Sequence, residues 1–488
     1  MRMGRPIVTY SDFKGSGRLP VPVGIYLLCI AVPLTFSVGP LALSTMRLFL
    51  LIMVIPLAIQ LLRGRYGRII APDIFFPLQL VWGAIAFLMN TPEQMIEHIG
   101  SLGIEFIGGY LIGRAYIRSP ADFFALAKAV VLLITLLLPM TIIEALTNRS
   151  PYVDLLEALP GFGSAEKVID ETRLGLYRVQ SVLDHPIHFG LFCSMMLSFC
   201  YIGLKGVVGT PRRIWGTVVI AVSGFLSLSS GALLAMVLQA FLVCWMWTFS
   251  RLRWRWWLLM GIILLGYVTV DLLSNRTPLQ VFMSYATFSP HNAYWRSLIF
   301  EYGMDNVWAN PLFGLGNNPW VRPLWMHTGT VDNFWLVIAM RYGIPGVVLL
   351  MIGYVVPLLY IGLRNFDTDP MLLQIRRAWM FSILGMSFTL ATVHVWNNAY
   401  SAVFFLFGAG MWLSGAVPAS GKVSKNEITM PRNDPTYRAP SYTRFPERTA
   451  SSISRRPVMA SNMRNGAGSY RAPDEIGARL ASIRRGDC

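Results

Sequence analysis

Charged residues are scarce in this chain of 488 residues. They make up 14% of it, while hydrophobic residues reach 54%, and a soluble domain carries about 25% charged residues. This composition excludes an ordinary soluble protein. Cysteine is scarce as well, and the five that are present show neither a zinc-ligand spacing nor a disulfide pattern.

The motifs of several enzyme classes are also missing. The sequence contains no Walker-type glycine loop, no His-Glu-x-x-His pair, no Gly-x-Ser-x-Gly turn and no carboxylate cluster suited to a divalent metal. We therefore expect no metal and no cofactor. The net charge of +16 requires no nucleic-acid partner, because most of it lies in short loops and in the segment after Val417, which holds 13 Lys/Arg against 6 Asp/Glu.

The apolar stretches predict an all-α, polytopic membrane protein with about 12 transmembrane helices. The domain boundaries follow as a cytoplasmic N-terminus at 1–20, a membrane domain at 21–417 and a basic, mostly disordered cytoplasmic tail at 418–488. The predicted spans are 21–38, 41–62, 74–90, 99–117, 124–147, 186–204, 214–229, 231–249, 256–273, 344–363, 377–395 and 399–417.

The distribution of Lys and Arg predicts the orientation in the membrane. If both termini are cytoplasmic, every inner loop is basic, as the positive-inside rule requires. Two long loops, at about 148–185 and 274–332, then lie on the outer face. The later loop is rich in arginine, histidine and tryptophan, and a polar loop of this length is usually functional. Arginine suits phosphate groups, and aromatic side chains suit sugar faces.

Residues of the later loop resemble a known family. Arg296 is followed by the stretch 310–316 (NPLFGLG), then by the pair Asp332-Asn333 and by 341–346 (RYGIPG). This order resembles the signature of the O-antigen ligase and O-antigen polymerase superfamily. In that pattern an Asp-Asn or His-Asn pair opens a short helix, which ends in two glycines before the next span.

Two earlier segments resemble the same superfamily. Arg178 precedes 184–190 (DHPIHFG), and 227–235 (SLSSGALLA) resembles a third motif. Ligases of the family usually have an arginine between the serine and glycine of this third motif, where this chain has Ser230. If that arginine holds the carrier diphosphate in relatives, Arg178 or Arg296 is the nearest candidate here. The departure favours a polymerase over a ligase.

The resemblance implies metal-independent glycosyl transfer at the outer face of the bacterial inner membrane. A glycan on undecaprenyl diphosphate would pass to a hydroxyl group of the next lipid-linked repeat, giving an exopolysaccharide, capsule or O-antigen. The implied partners are these lipid-linked donor and acceptor glycans, the lipid bilayer and other polysaccharide export or assembly proteins.

This reaction needs cations for the leaving diphosphate and a base for the acceptor hydroxyl. The predicted diphosphate-binding residues are Arg296 first, then Arg178 and Arg322. The candidate bases are Asp332 and His327, with His185 and Asp184 as alternates. We expect Gly314, Gly316 and Asn333 to shape the loop.

Each assignment has an alternative that involves no chemistry. Arg296 could anchor the loop to Glu301 or to a backbone carbonyl group. Asp332-Asn333 could be the N-cap of a helix, because such residues often precede an apolar helix.

Three other functions also stay open. A ligase would transfer a finished glycan to a different acceptor. A transporter for lipid-linked glycans would place its charges at mid-membrane, and an assembly subunit would act through its tail.

Overall fold

The computed structural model describes residues 17–38, 41–164, 167, 172–274, 281 and 290–418. Most of the predicted N-terminal segment and of the predicted tail lies outside these residues, so both remain predictions.

Within the described residues, the chain forms fourteen α-helices and one small sheet. The helices are α1 (Val21–Ala31), α2 (Thr45–Leu62), α3 (Ala71–Asn90), α4 (Met95–Tyr116), α5 (Pro120–Thr147), α6 (Pro151–Glu157), α7 (Pro186–Ser198), α8 (Thr210–Leu226), α9 (Ser230–Thr248), α10 (Arg255–Leu273), α11 (Pro290–Ala309), α12 (Phe334–Leu363), α13 (Pro370–Leu390) and α14 (Asn397–Ala409). The sheet pairs β1 (Thr35–Val38) with β2 (Leu41–Ser44), antiparallel, with Thr35 opposite Ser44.

This architecture confirms the prediction of an all-α polytopic membrane protein. Seven of the described helices are long and apolar enough to cross a membrane, namely α2, α3, α5, α7 with the π-helical turn that follows it, α9, α10 and α12. Each of the twelve predicted spans overlaps a helix. The first differs most, because α1 ends at Ala31 and the chain then enters β1. Val32 precedes Pro33, and a residue before proline disfavours helical backbone.

Small residues bring two central helices into close contact. A Cβ atom on Gly113 of α4 would lie 2.2 Å from the backbone oxygen of Phe405 in α14. A Cβ on Gly408 of α14 would likewise lie 2.3 Å from the backbone oxygen of Tyr110. Lipid provides no hydrophobic force between helices, so such close backbone approach contributes much of the packing energy.

Helix α12 is broken near its start, as the sequence pattern predicts for a short helix followed by a span. Gly343 has φ 69° and ψ −176°, which interrupts the helix. Pro345 lacks the N–H group that would bond to the carbonyl of Arg341. The break therefore leaves carbonyl groups without their intrahelical donors.

The stretch 310–316 and one tryptophan supply the missing donors. Leu315 N donates to Met340 O (2.7 Å), and Gly316 N donates to Arg341 O (3.1 Å). Trp82 Nε1 donates to Tyr342 O at 2.9 Å. In return, Ile344 N donates to the carbonyl of Pro311 (2.8 Å). These hydrogen bonds hold the stretch 310–316 onto the start of α12.

We expect Gly343→Ala to destabilise the protein by about 2 kcal/mol or more, because an L-residue is strained at this φ. Its Cβ would also lie 2.2 Å from the carbonyl oxygen of Leu312. The measurement is denaturant unfolding in detergent micelles. The control is Gly266→Ala in α10, where an added Cβ meets nothing within 4 Å. Equal stability of the two variants would contradict this account of the break.

Candidate functional site

A cavity of about 800 Å³ lies where α7, α9, α12 and α14 begin. Its wall includes His185, Ser229 and Trp396, which are the N-cap residues of α7, α9 and α14. Asp332 also lines the cavity and immediately precedes Asn333, the N-cap of α12. A helix N-terminus carries partial positive charge, so four such ends favour an anionic ligand.

Four arginines add full positive charges to this wall. They are Arg173, Arg178, Arg296 and Arg341, and Asp332 is the one carboxylate among the described residues that line the cavity. Trp295, Trp320 and Trp396 provide aromatic surface in the same cavity. Among the described residues, the site therefore combines an excess of fixed cations with aromatic rings and a single acid.

Asp332 is not used as a helix cap. The side chain of Asn333 does the capping, because its Oδ1 accepts a hydrogen bond from Leu336 N at 3.1 Å. Burial raises the pKa of Asp332, while Arg296 and Arg178 partly offset this effect. The carboxyl group therefore faces two guanidinium groups and has a stronger affinity for a proton than an exposed aspartate.

Arg296 lies on α11, within a segment that the sequence analysis treated as loop. Its pKa is lowered by burial, raised by Asp332 and lowered again by Arg173. Among the described residues, the ion pairs within 4 Å are Arg47–Glu105 and Arg114–Asp73, so Arg296 does not pair with Glu301. Its guanidinium is placed to meet a ligand that enters the cavity.

A buried glutamate holds the segment that carries Arg178. Glu144 accepts hydrogen bonds from the backbone N–H groups of Gln180 (2.8 Å) and Ser181. Val179 N donates to the carbonyl of Leu226 (3.1 Å), at the end of α8. Arg178 is thus fixed to the helix bundle although it belongs to the connection before α7.

The hydrogen bonds of His185 indicate a donor rather than a base. Its Nδ1 accepts from Ile187 N at 3.1 Å. A neutral ring with Nδ1 accepting carries its proton on Nε2 and is a donor there. Asp184 is engaged as well, since it accepts from Asn397 Nδ2 at 3.2 Å. Asp332 is therefore the best placed of the predicted bases.

Two predicted residues lie away from the cavity wall. His327 is exposed, and Arg322 is half-buried with its Nε donating to the carbonyl of Met326 (3.1 Å). Arg322 also lies over the ring of Trp320. Its observed contacts stabilise the loop 320–329, whereas Arg296 and Arg178 line the cavity.

Two of the three predicted loop-shaping residues, Gly314 and Gly316, lie beside the break in α12. Gly314 and Gly316 have φ angles of 61° and 60°, which favour glycine. Gly316 also lines the cavity, and Asn333 caps the helix that follows.

The sequence analysis assigned no role to Arg173 or Arg341. Arg341 is part of the RYGIPG stretch, so the sequence shows its motif. The sequence does not show that the Arg341 side chain lines the cavity. Arg173 belongs to no quoted motif, and the only signal was a cation in a predicted outer loop. His394, between α13 and α14, also lines the cavity, and burial lowers its pKa to about 3, with Arg341 and His98 contributing.

The fold and the cavity together define a polytopic all-α membrane protein with a cationic cavity at the start of four helices. Residues 215–351 match the family model described as O-antigen ligase. This match confirms the predicted resemblance to the O-antigen ligase and O-antigen polymerase superfamily, and it supports a function in glycan assembly. The chain matches none of the curated proteins.

Variants of the two neighbouring residues separate capping from chemistry. We expect Asn333→Ala to lower the free energy of unfolding by about 1 kcal/mol through loss of the cap. We expect Asp332→Asn to leave it within about 0.5 kcal/mol but to abolish glycan transfer. Denaturant unfolding and glycan analysis measure the two effects. An active Asp332→Asn protein would contradict the role of this carboxylate.

Proposed function

We propose that this protein is a glycosyltransferase that polymerises oligosaccharide repeats carried on undecaprenyl diphosphate. The observation that carries the proposal is the cavity that joins four arginines and one carboxylate. Most of its wall belongs to 215–351, the part that matches the O-antigen ligase family model. The product would be an exopolysaccharide, capsule or O-antigen.

The arginines support a lipid diphosphate as the donor's leaving group. When the bond between the sugar and the diphosphate breaks, the electron pair stays on the phosphate oxygen. Fixed cations in a partly water-excluded site stabilise that charge. Arg296 and Arg178, which both act on the pKa of Asp332, are placed to bind the diphosphate next to the base.

Asp332 supports attack by a hydroxyl group of the acceptor. The hydroxyl oxygen bonds to the anomeric carbon of the donor, and its proton passes to Asp332. The polyprenyl diphosphate leaves at the same centre. Four cations with one carboxylate do not resemble the oxygen-rich ligand sets of magnesium or calcium sites, so we propose a metal-independent reaction in which arginines provide the positive charge.

The position of the cavity supports a site on the outer face. The wall comes from the connections before α7, between α8 and α9, between α10 and α12, and between α13 and α14. The connections at the opposite ends of the helices are the basic ones, for example the residues around Arg65 and Arg213. The positive-inside rule then makes both termini cytoplasmic. We propose a bacterial inner-membrane protein that works with other polysaccharide export or assembly proteins.

A ligase is the second candidate, because the family model carries that description. The two functions differ in the acceptor, and Ser230 at the place of the expected arginine favours the polymerase. A transporter is less compatible with the structure. Its charges would be exposed at mid-membrane, whereas the arginines and the carboxylate of this cavity lie where α7, α9, α12 and α14 begin.

Sizing of lipid-linked glycans tests the proposal in cells that lack this gene. Complementation with Arg296→Ala or Asp332→Asn should leave single repeat units on the carrier, at wild-type protein levels. The matched controls are Arg149→Ala and Asp154→Asn, exposed residues of the first outer loop. Full-length glycan retained on the carrier would mean a ligase. Normal polymer from both site variants would contradict the catalytic site.

The pH dependence of transfer tests the role of Asp332 as base. Only the carboxylate form accepts a proton, so activity falls as the pH drops through the pKa of Asp332. Because burial raises that pKa above its ordinary value of 3.8, the acid limb should have its midpoint above pH 3.8. Initial rates with purified protein in nanodiscs measure it. The His185→Gln variant should show the same fall of activity at acid pH. If that fall is absent in this variant, the base is His185 rather than Asp332.

A further inference from the structure

A second cavity, of about 170 Å³, adjoins the main cavity that Asp332 lines. Its wall comes from the start of α2, the first half of α4, the start of α12 and the start of α14. Val337, Arg341, His394 and Trp396 line both cavities. A water molecule occupies about 30 Å³ in the liquid, so the second cavity has room for one small ring but not for a chain.

A buried carboxylate in this second wall is only partly used by the protein. Glu105 is 4% exposed, and its Oε1 accepts a hydrogen bond from Arg47 Nε at 2.7 Å. Among the described residues, no donor to its other carboxylate oxygen, Oε2, is found. Each oxygen of a buried carboxylate needs a donor. Glu105 can therefore accept a hydrogen bond from a group that enters the second cavity.

The hydroxyl group of Tyr400 also has no hydrogen-bond partner in the described part of the chain. Tyr400 lines the second cavity and is 1% exposed. Its ring is held by Phe334 and Phe106, at centroid distances of 5.8 and 5.9 Å. A buried hydroxyl group without a partner is costly. A ligand that forms a hydrogen bond with this hydroxyl group would remove that cost.

A series of side-chain hydrogen bonds connects the walls of the two cavities. Arg47 Nη2 donates to Asn397 Oδ1 (2.9 Å), and Asn397 Nδ2 donates to Asp184 Oδ2 (3.2 Å). Asp184 directly precedes His185, which lines the main cavity. Asn397 has a φ of 49°, a conformation that asparagine adopts more readily than most residues. This network fixes the position of the second cavity relative to the main cavity.

The groups in the second wall favour a polar ligand without a large charge. Among the described residues that line it, Arg47 pairs with Glu105, so Arg341 is the one arginine left without a carboxylate. Ser101 adds a hydroxyl group, and Trp396, which is 39% exposed, adds an aromatic ring. A sugar ring matches this wall, because its hydroxyl groups donate and accept hydrogen bonds while its C–H face packs on aromatic rings.

We propose that the second cavity binds one sugar ring of the acceptor repeat, beside the ring whose hydroxyl group Asp332 activates. Glu105 and Tyr400 bind its hydroxyl groups, and Trp396 packs against its C–H face. The donor glycan lengthens at each step and has to extend into solvent, whereas the acceptor repeat has a fixed length and suits a cavity of fixed size. The assignment rests on the proposed function, because it adds an acceptor subsite to the same transfer reaction.

Binding of the free repeat oligosaccharide to the full-length protein in nanodiscs tests this subsite. Mild acid releases the oligosaccharide from the lipid-linked repeats of cells that lack this gene, and saturation-transfer NMR measures its affinity. Tyr400→Phe deletes one hydroxyl group and should weaken binding about two- to tenfold, as expected for one neutral hydrogen bond. Glu105→Gln keeps an acceptor for Arg47 but loses the charge, and it should weaken binding about tenfold or more.

Thermal unfolding distinguishes a role in binding from a role in folding. The matched control is Tyr26→Phe, because the Tyr26 hydroxyl group is also buried but forms a hydrogen bond with Ser401 Oγ at 2.9 Å. Tyr26→Phe should bind the oligosaccharide as wild type does and unfold at a lower temperature. Tyr400→Phe should bind more weakly and unfold at or above the wild-type temperature. If Tyr400→Phe and Glu105→Gln both bind as wild type does, or if the wild-type protein does not bind the oligosaccharide, the subsite is wrong.

An oligosaccharide labelled at its reducing end distinguishes the acceptor from the donor. With lipid-linked repeats as donor, the wild-type protein should extend the labelled oligosaccharide by whole repeats. Tyr400→Phe should need about two- to tenfold more of it for the same rate. A labelled oligosaccharide that binds but is not extended would assign the second cavity to the donor glycan and contradict the proposal.

Arg296→Ala separates a failure of the subsite from a failure of the proposed function. This variant should keep the affinity for the free oligosaccharide, which carries no diphosphate, and lose its extension. If Arg296→Ala loses extension while the Tyr400 and Glu105 variants bind as wild type does, the proposed function stands without the subsite. If Arg296→Ala extends the oligosaccharide at the wild-type rate, the proposed function itself is wrong.

Discussion

Backbone polar groups inside a membrane must find partners within the protein, because lipid offers none. In this chain that constraint applies where Gly343 and Pro345 break α12. The freed carbonyl groups of Met340 and Arg341 accept hydrogen bonds from Leu315 and Gly316. The loop that contains 310–316 is therefore bound to the bundle by backbone hydrogen bonds. Since the loop and the start of α12 form much of the cavity wall, the site depends on this break.

The electrostatics of the cavity follow from the same arrangement. Four helices begin at the cavity and direct the positive ends of their dipoles toward it. Four arginines come from three separate parts of the chain, and Asp332 lies among them because Asn333 performs the capping. A site with such an excess of positive charge is stabilised when an anion binds. A diphosphate leaving group fits this requirement and gains stabilisation as its charge develops.

Much of the fold could be predicted, because membrane helices have a long and local apolar signal. The break in α12 was also visible, in the RYGIPG stretch. The end of α1 at Ala31 was missed, although Pro33 was the available sign. The convergence of Arg173 with Arg296 could not be predicted, because the two residues are far apart in the sequence and no local pattern links them. Which histidine nitrogen accepts a hydrogen bond, as in His185, likewise depends on three-dimensional contacts.

The most direct test of the central claim is a cryo-EM structure of the protein with farnesyl diphosphate bound. Our account predicts density for the diphosphate in the cavity, beside Arg296, Arg178 and Asp332. Density for the diphosphate among the basic connections at the other ends of the helices would contradict it. A cavity that stays empty at saturating ligand would do the same.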